Sequence, residues 1–136
     1  MTPILRKLWA VKGRVAVGLV LSYVMYCGWW LYSFTKQVNN TIKLNAYSEE
    51  VARLRDNAGA LPAAFDGHKD WYGREVVYIH DGLHFMLVSY GSDGEPDRLD
   101  YPKLLGVRFE EHRKNCLWPN SDTVVSDRMV WQGCGK

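Results

Sequence analysis

Between Val15 and Phe34 the chain reads VAVGLVLSYVMYCGWWLYSF, a run without a single charge. A helix needs about 20 predominantly apolar residues to cross a hydrocarbon core roughly 30 Å thick, and this run has that length. Trp29, Trp30 and Tyr32 crowd its far end, where aromatic belts sit at the membrane–water interface. A cleavable signal peptide reads differently, with a shorter apolar stretch that ends in small residues. A buried core helix of this length is out of proportion to the small domain that follows. The expectation is one membrane-spanning helix over residues 15–34, with the lipid bilayer as its surroundings.

Charge gives that helix a direction. The segment before it, residues 1–14, carries Arg6, Lys7, Lys12 and Arg14, whereas Lys36 and Lys43 are the only bases over residues 35–48. The basic excess belongs on the cytoplasmic side, which predicts a cytoplasmic N-terminus and a periplasmic remainder. Residues 49–136 hold all 15 acids of the chain, so the outer part is mildly acidic. No basic stripe is present, which argues against a nucleic-acid partner.

Beyond the span, Val38, Ile42, Tyr47, Val51, Leu54 and Ala58 recur at helical steps, and no Pro or Gly interrupts residues 29–57. The simplest expectation is one long helix, apolar all round over 15–34 and amphipathic over 35–58. Two helices jointed near Asn39–Asn40 fit the same pattern. Gly59 and Pro62 end the helical stretch.

Residues 59–136 read as a small antiparallel β domain. REVVYIH and LHFMLVSY are rich in strand-forming residues and flank Asp81–Gly82, a strong hairpin signal. LLGVRFEEH is a third strand or an irregular piece, and DTVVSDRMVWQGC supplies the last strand. The fold class is therefore α+β: a transmembrane helix continuing into an amphipathic helix packed on a small antiparallel sheet.

An acidic loop, residues 91–101, follows the hairpin with Asp93, Glu95, Asp97 and Asp100 close together. Calcium takes six to eight oxygens from carboxylates, carbonyls and water, and these acids plus loop carbonyls supply that chemistry. The spacing is not that of an EF-hand, since Arg98 and Leu104 fall where its Gly and Glu belong. A solvated turn accounts for the same residues. Cys116 and Cys134 fall on the expected outer side and form a disulfide if the compartment is oxidising. Two free thiols, or a zinc pair without its remaining ligands, are the other readings. Cys27 lies within the span as a packing residue.

Nothing marks an enzyme. His80 and His84 flank the hairpin turn and His68 precedes it, but a zinc site needs three or four convergent ligands. There is no H-E-x-x-H, no G-x-S-x-G and no Gly-rich phosphate loop. No small-molecule substrate is expected.

One stretch carries a resemblance. Asp70, Trp71 and Gly73, then Tyr78, then Phe85, Leu87, Ser89 and Gly91, then Asp93, Gly94, Asp97 and Asp100 stand in an order similar to the C-terminal half of the major pseudopilin of type II secretion systems. The resemblance covers about residues 61–101 and implies a pilin-like fold, a calcium ion in the acidic loop, and polymerisation with other pseudopilin-like subunits in a bacterial inner membrane. It also implies processing between Gly13 and Arg14. The family's Glu at the fifth mature position is replaced here by Gly18. The function implied is a pseudopilin-like structural subunit of a secretion or pilus-type assembly. The alternative is an unprocessed, membrane-anchored periplasmic interaction module on the same fold.

Overall fold

The computed structural model describes residues 3–96, 101–105, 121–127 and 130–132. The chain divides into two compact units, Met1–Ser33 and Phe34–Lys136. Helix α1 (Pro3–Ala58) provides all described structure in the first unit and the first element of the second. From Val15 to Tyr32 every residue except Cys27 is exposed. By length and composition this part of α1 is long and apolar enough to cross a membrane. Gly13 and Arg14 lie inside α1.

In the second unit α1 ends at Ala58, and Gly59 follows with a φ of 70°. A left-handed glycine in this position lets the last helical carbonyls find donors as the chain turns away. The sheet comprises β1 (Val77–His80), β2 (Phe85–Ser89), β3 (Thr123–Ser126) and β4 (Val130–Gln132), in the order β1-β2-β3-β4 with every neighbouring pair antiparallel. The stretch expected to give one last strand thus gives two. Of LLGVRFEEH, Leu104 closes a short helix, α2 (Tyr101–Leu104), Leu105 follows in a turn, and 106–112 lie outside the described residues.

Both faces of the sheet are covered, so β2 is buried along its whole length. This is why Phe85 to Val88 form an unbroken apolar run where a one-faced strand would alternate. On one face Leu44 and Val51 of α1 pack with Phe65, Val76, Phe85, Leu87 and Val125. On the other, Met86, Val88 and Val124 pack with Tyr101 at the start of α2. Burying a side chain such as Leu44 or Val51 contributes about 1.5–3 kcal/mol.

The buried face of the helix keeps part of the expected stripe, with Val51 buried and Tyr47 packed against the core, but not the rest of it. Gln37, Asn40, Leu44 and Val51 are buried, while Val38, Ile42 and Leu54 are exposed, at 38%, 61% and 38%. Helical spacing fits both sets. The sheet decides between them, because its end nearest Gln37 and Asn40 is polar, with Ser89 and Thr123 as cross-strand partners.

The hairpin turn is also longer than an Asp-Gly pair. Residues 81–84 all lie between β1 and β2, and the Asp81 amide bonds to the His84 carbonyl at 3.1 Å. The Asp81 carboxylate accepts the Leu83 and His84 amides at 2.8 and 2.7 Å. Leu83 therefore projects outward, 76% exposed, where the apolar run LHFMLVSY had placed it in a strand.

Candidate functional site

Among the described residues of the second unit, Asp70, which is 1% exposed, is bonded through its amide, its carbonyl and both carboxylate oxygens. It opens a tight turn in which its own amide bonds to the Arg74 carbonyl at 2.7 Å and its carbonyl accepts the Gly73 amide at 3.2 Å. Its Oδ1 accepts the amides of Tyr72 and Arg74, both at 2.9 Å, and its Oδ2 accepts the Ser89 hydroxyl at 2.7 Å. Three of a carboxylate's roughly four acceptor positions are thus used by fixed donors.

Two amides on α1 extend this network. Asn40 donates to Ser89 Oγ at 2.9 Å and Thr123 Oγ1 at 3.2 Å, and its Oδ1 accepts the Trp71 amide at 3.0 Å. Gln37 donates to the Ser121 carbonyl at 3.0 Å and to Thr123 Oγ1 at 3.2 Å, and accepts the Tyr72 hydroxyl at 3.0 Å. Lys43 donates to the Asp70 carbonyl at 3.1 Å. The arrangement ties one helix, one turn and two strands together through buried polar atoms. Such a network rigidifies when every member is satisfied, and it leaves little free valence for acid–base chemistry or for a ligand.

Burial pushes the Tyr72 phenol up to about 12; the neighbouring Asp70 carboxylate adds to the rise and Arg74 opposes it. Tyr72 is half-buried and bonded to Gln37, whereas Trp71 is 49% exposed. Gln37 and Asn40 were missed. The available signal was two amides three positions apart on a helix, lying on the side shared with Leu44 and Val51.

The expected metal ligands divide. Asp93 and Glu95 stand in the loop after β2, with the Glu95 amide 3.3 Å from the Asp93 carboxylate. Asp97 and Asp100 lie outside the described residues, as do Cys116 and Cys134. Among the described residues no three His, Cys, Asp or Glu side chains converge as a metal site. His80 stacks on Tyr78 with centroids 5.1 Å apart, and His84 Nδ1 meets Asp127 at 3.0 Å. His68 stacks on Phe65 at 3.8 Å.

No family model matches the chain. No solved structure matches it. Curated relatives do. The chain is 28% identical to the mitochondrial NADH-ubiquinone oxidoreductase 30.4 kDa subunit of Neurospora crassa over 88 residues, 58% of this chain and 29% of that protein. It is 30% identical to an NADH-quinone oxidoreductase subunit of Phenylobacterium zucineum over 97 residues, 65% of this chain and 43% of that protein. The subunit of the same name from Mesorhizobium japonicum is 27% identical, over 59% of this chain and 42% of its own length. The chain thus spans less than half the length of each of these relatives. Their matches extend well beyond the 61–101 stretch that resembles a pseudopilin, and none is a secretion protein. The pseudopilin assignment is overturned on that ground. So are the type II secretion and protein-transport role, the pseudopilin-like partners, and the alternative of a periplasmic module on a pilin-like fold. What this chain is similar to is a subunit of NADH-quinone oxidoreductase.

Proposed function

We propose that this chain is a non-catalytic component of a membrane-bound NADH-quinone oxidoreductase assembly. Residues 15–34 hold it at the bilayer, and the unit formed by residues 34–136 docks on other subunits. The observation that carries this reading is the agreement of the relatives. One fungal and two bacterial proteins bear the name of a subunit of the same oxidoreductase, and each match takes in more than half of this chain. The three fixed donors on the buried Asp70 carboxylate support a structural part over a chemical one. NADH is a cytoplasmic reductant in bacteria, so the reading places the folded unit on the cytoplasmic face, against the periplasmic side that the basic flank favours.

The test is purification of the tagged, full-length chain from native membranes in mild detergent. Co-purification of the other subunits, together with NADH-dependent quinone reduction, is the expected result. A chain that migrates alone, or with an unrelated set of membrane proteins, overturns the reading. Protease digestion of a C-terminal tag in right-side-out and inverted vesicles settles the side: cleavage only in inverted vesicles is expected.

A further inference from the structure

The turn after β2 is built around a cation that the chain itself supplies. Arg74 leaves the Asp70 turn and crosses to the start of the acidic loop. Its Nη1 donates to the Gly91 carbonyl at 2.5 Å and its Nη2 to the Ser92 carbonyl at 2.9 Å. Gly91 is buried, and the turn closes over the guanidinium with the Gly94 amide bonded to the Tyr90 carbonyl at 3.0 Å. The fit is close. A Cβ added at Gly94 would stand 2.6 Å from Arg74 Cζ and 2.7 Å from its Nε, and Gly94 holds a φ of 74°. Only glycine takes both the conformation and the approach without strain.

We infer that Arg74 is the resident cation of the 90–95 turn, so that this turn folds without a metal ion. Two observations carry this independently of the proposed function. The first is the fork itself: two parallel donors span two successive carbonyls, a geometry that a guanidinium matches and an ammonium does not. The second is the cost to a competitor. A calcium ion in this turn would draw on loop carbonyls as well as on Asp93 and Glu95. The Gly91 and Ser92 carbonyls already accept from Arg74, and a divalent cation beside them would sit next to a fixed positive charge.

The test uses the full-length chain in detergent, unfolded thermally in excess calcium and again in chelator. The wild-type midpoint should be the same in both. In chelator, Arg74→Ala should lower the midpoint by about 5 °C, the shift expected for the loss of one or two modest bonds in a domain of this size. Arg74→Lys should recover little of that. Amide exchange at Gly94 should quicken in Arg74→Ala while amides in β2 keep their protection, which separates loosening of the turn from general destabilisation. A wild-type midpoint that rises by several degrees in calcium overturns the inference, and that measurement stands even if Arg74→Ala does not fold. So does an Arg74→Ala variant as stable in chelator as the wild type.

Discussion

Asp70 and Ser89 are joined by a buried hydrogen bond of 2.7 Å that links a turn to β2, an inner strand of the sheet. The same serine oxygen accepts from Asn40 of α1. Ser89 is therefore the point at which helix, turn and sheet are held in register, and its hydroxyl both donates and accepts.

Removing the carboxylate should be among the most damaging changes in the second unit. Asp70→Ala removes the acceptor of the part-buried Tyr72 and Arg74 amides and strands the buried hydroxyl of Ser89. The expected loss is about 2–4 kcal/mol, because buried donors without acceptors keep their full desolvation penalty. Asp70→Asn should cost less, since one amide oxygen still accepts the two backbone donors. Urea unfolding of the detergent-solubilised chain measures both, and equal losses for the two variants would refute this account.

The phase of α1 gives a second comparison. Asn40→Ala removes the acceptor of the Trp71 amide and the donor to Ser89 and Thr123. It should cost about 1–3 kcal/mol. Ile42→Ala, two residues away on the exposed side, should stay within about 0.5 kcal/mol of the wild type. If Ile42→Ala proves the more damaging, the helix buries the stripe that periodicity alone suggested.

That comparison also marks how much the sequence disclosed. The strands around Asp81–Gly82 were legible because β2 is buried on both faces and so reads as continuous Phe-Met-Leu-Val. The length of the turn was not, because it depends on the Asp81 side chain capturing two amides rather than on the Asp-Gly pair. The burial of Gln37 and Asn40 was not legible either, since polar residues are buried only where the opposite surface offers partners, here Ser89 and Thr123. The family resemblance misled for a related reason. Asp70, Gly73, Ser89 and Gly91 are four of the residues it rests on, and the structure puts Asp70, Gly73 and Ser89 to work closing and docking one turn, while Gly91 lends its carbonyl to Arg74. Residues that solve a local folding problem can recur wherever a similar turn is needed, and they carry no information about what the whole protein assembles with.

Acid should reach the hairpin through Asp81. The His84 amide, and then the Leu83 amide, hold its carboxyl below the usual carboxylate range. The native state therefore binds this proton less readily than the unfolded chain. Its contribution is present above the unfolded value near 3.8 and is lost as pH falls through the lower native value. Asp81→Asn should be less stable than the wild type at neutral pH, and its midpoint should fall less steeply below pH 4. Parallel midpoint curves for the two proteins would rule out this role.

Base should act through Tyr72. Burial is the main reason its phenol is raised to about 12, with the Asp70 carboxylate second. The native state keeps the proton that the unfolded chain gives up near 10, so stability is intact below that value and declines as pH rises toward 12. Tyr72→Phe removes this decline and also the hydroxyl that donates to Gln37 at 3.0 Å. The variant should start lower by about 1 kcal/mol at neutral pH and then lose stability more slowly than the wild type above pH 10. Phenolate absorbance of the folded wild type should show Tyr72 titrating later than it does in the unfolded chain, together with Tyr78 and Tyr90, whose phenols burial also raises, and Tyr72→Phe should remove the Tyr72 share of that delay. Should Tyr72→Phe and the wild type decline in parallel, another group must be responsible for the alkaline limb and the phenol of Tyr72 must be more open to water than its bond to Gln37 implies.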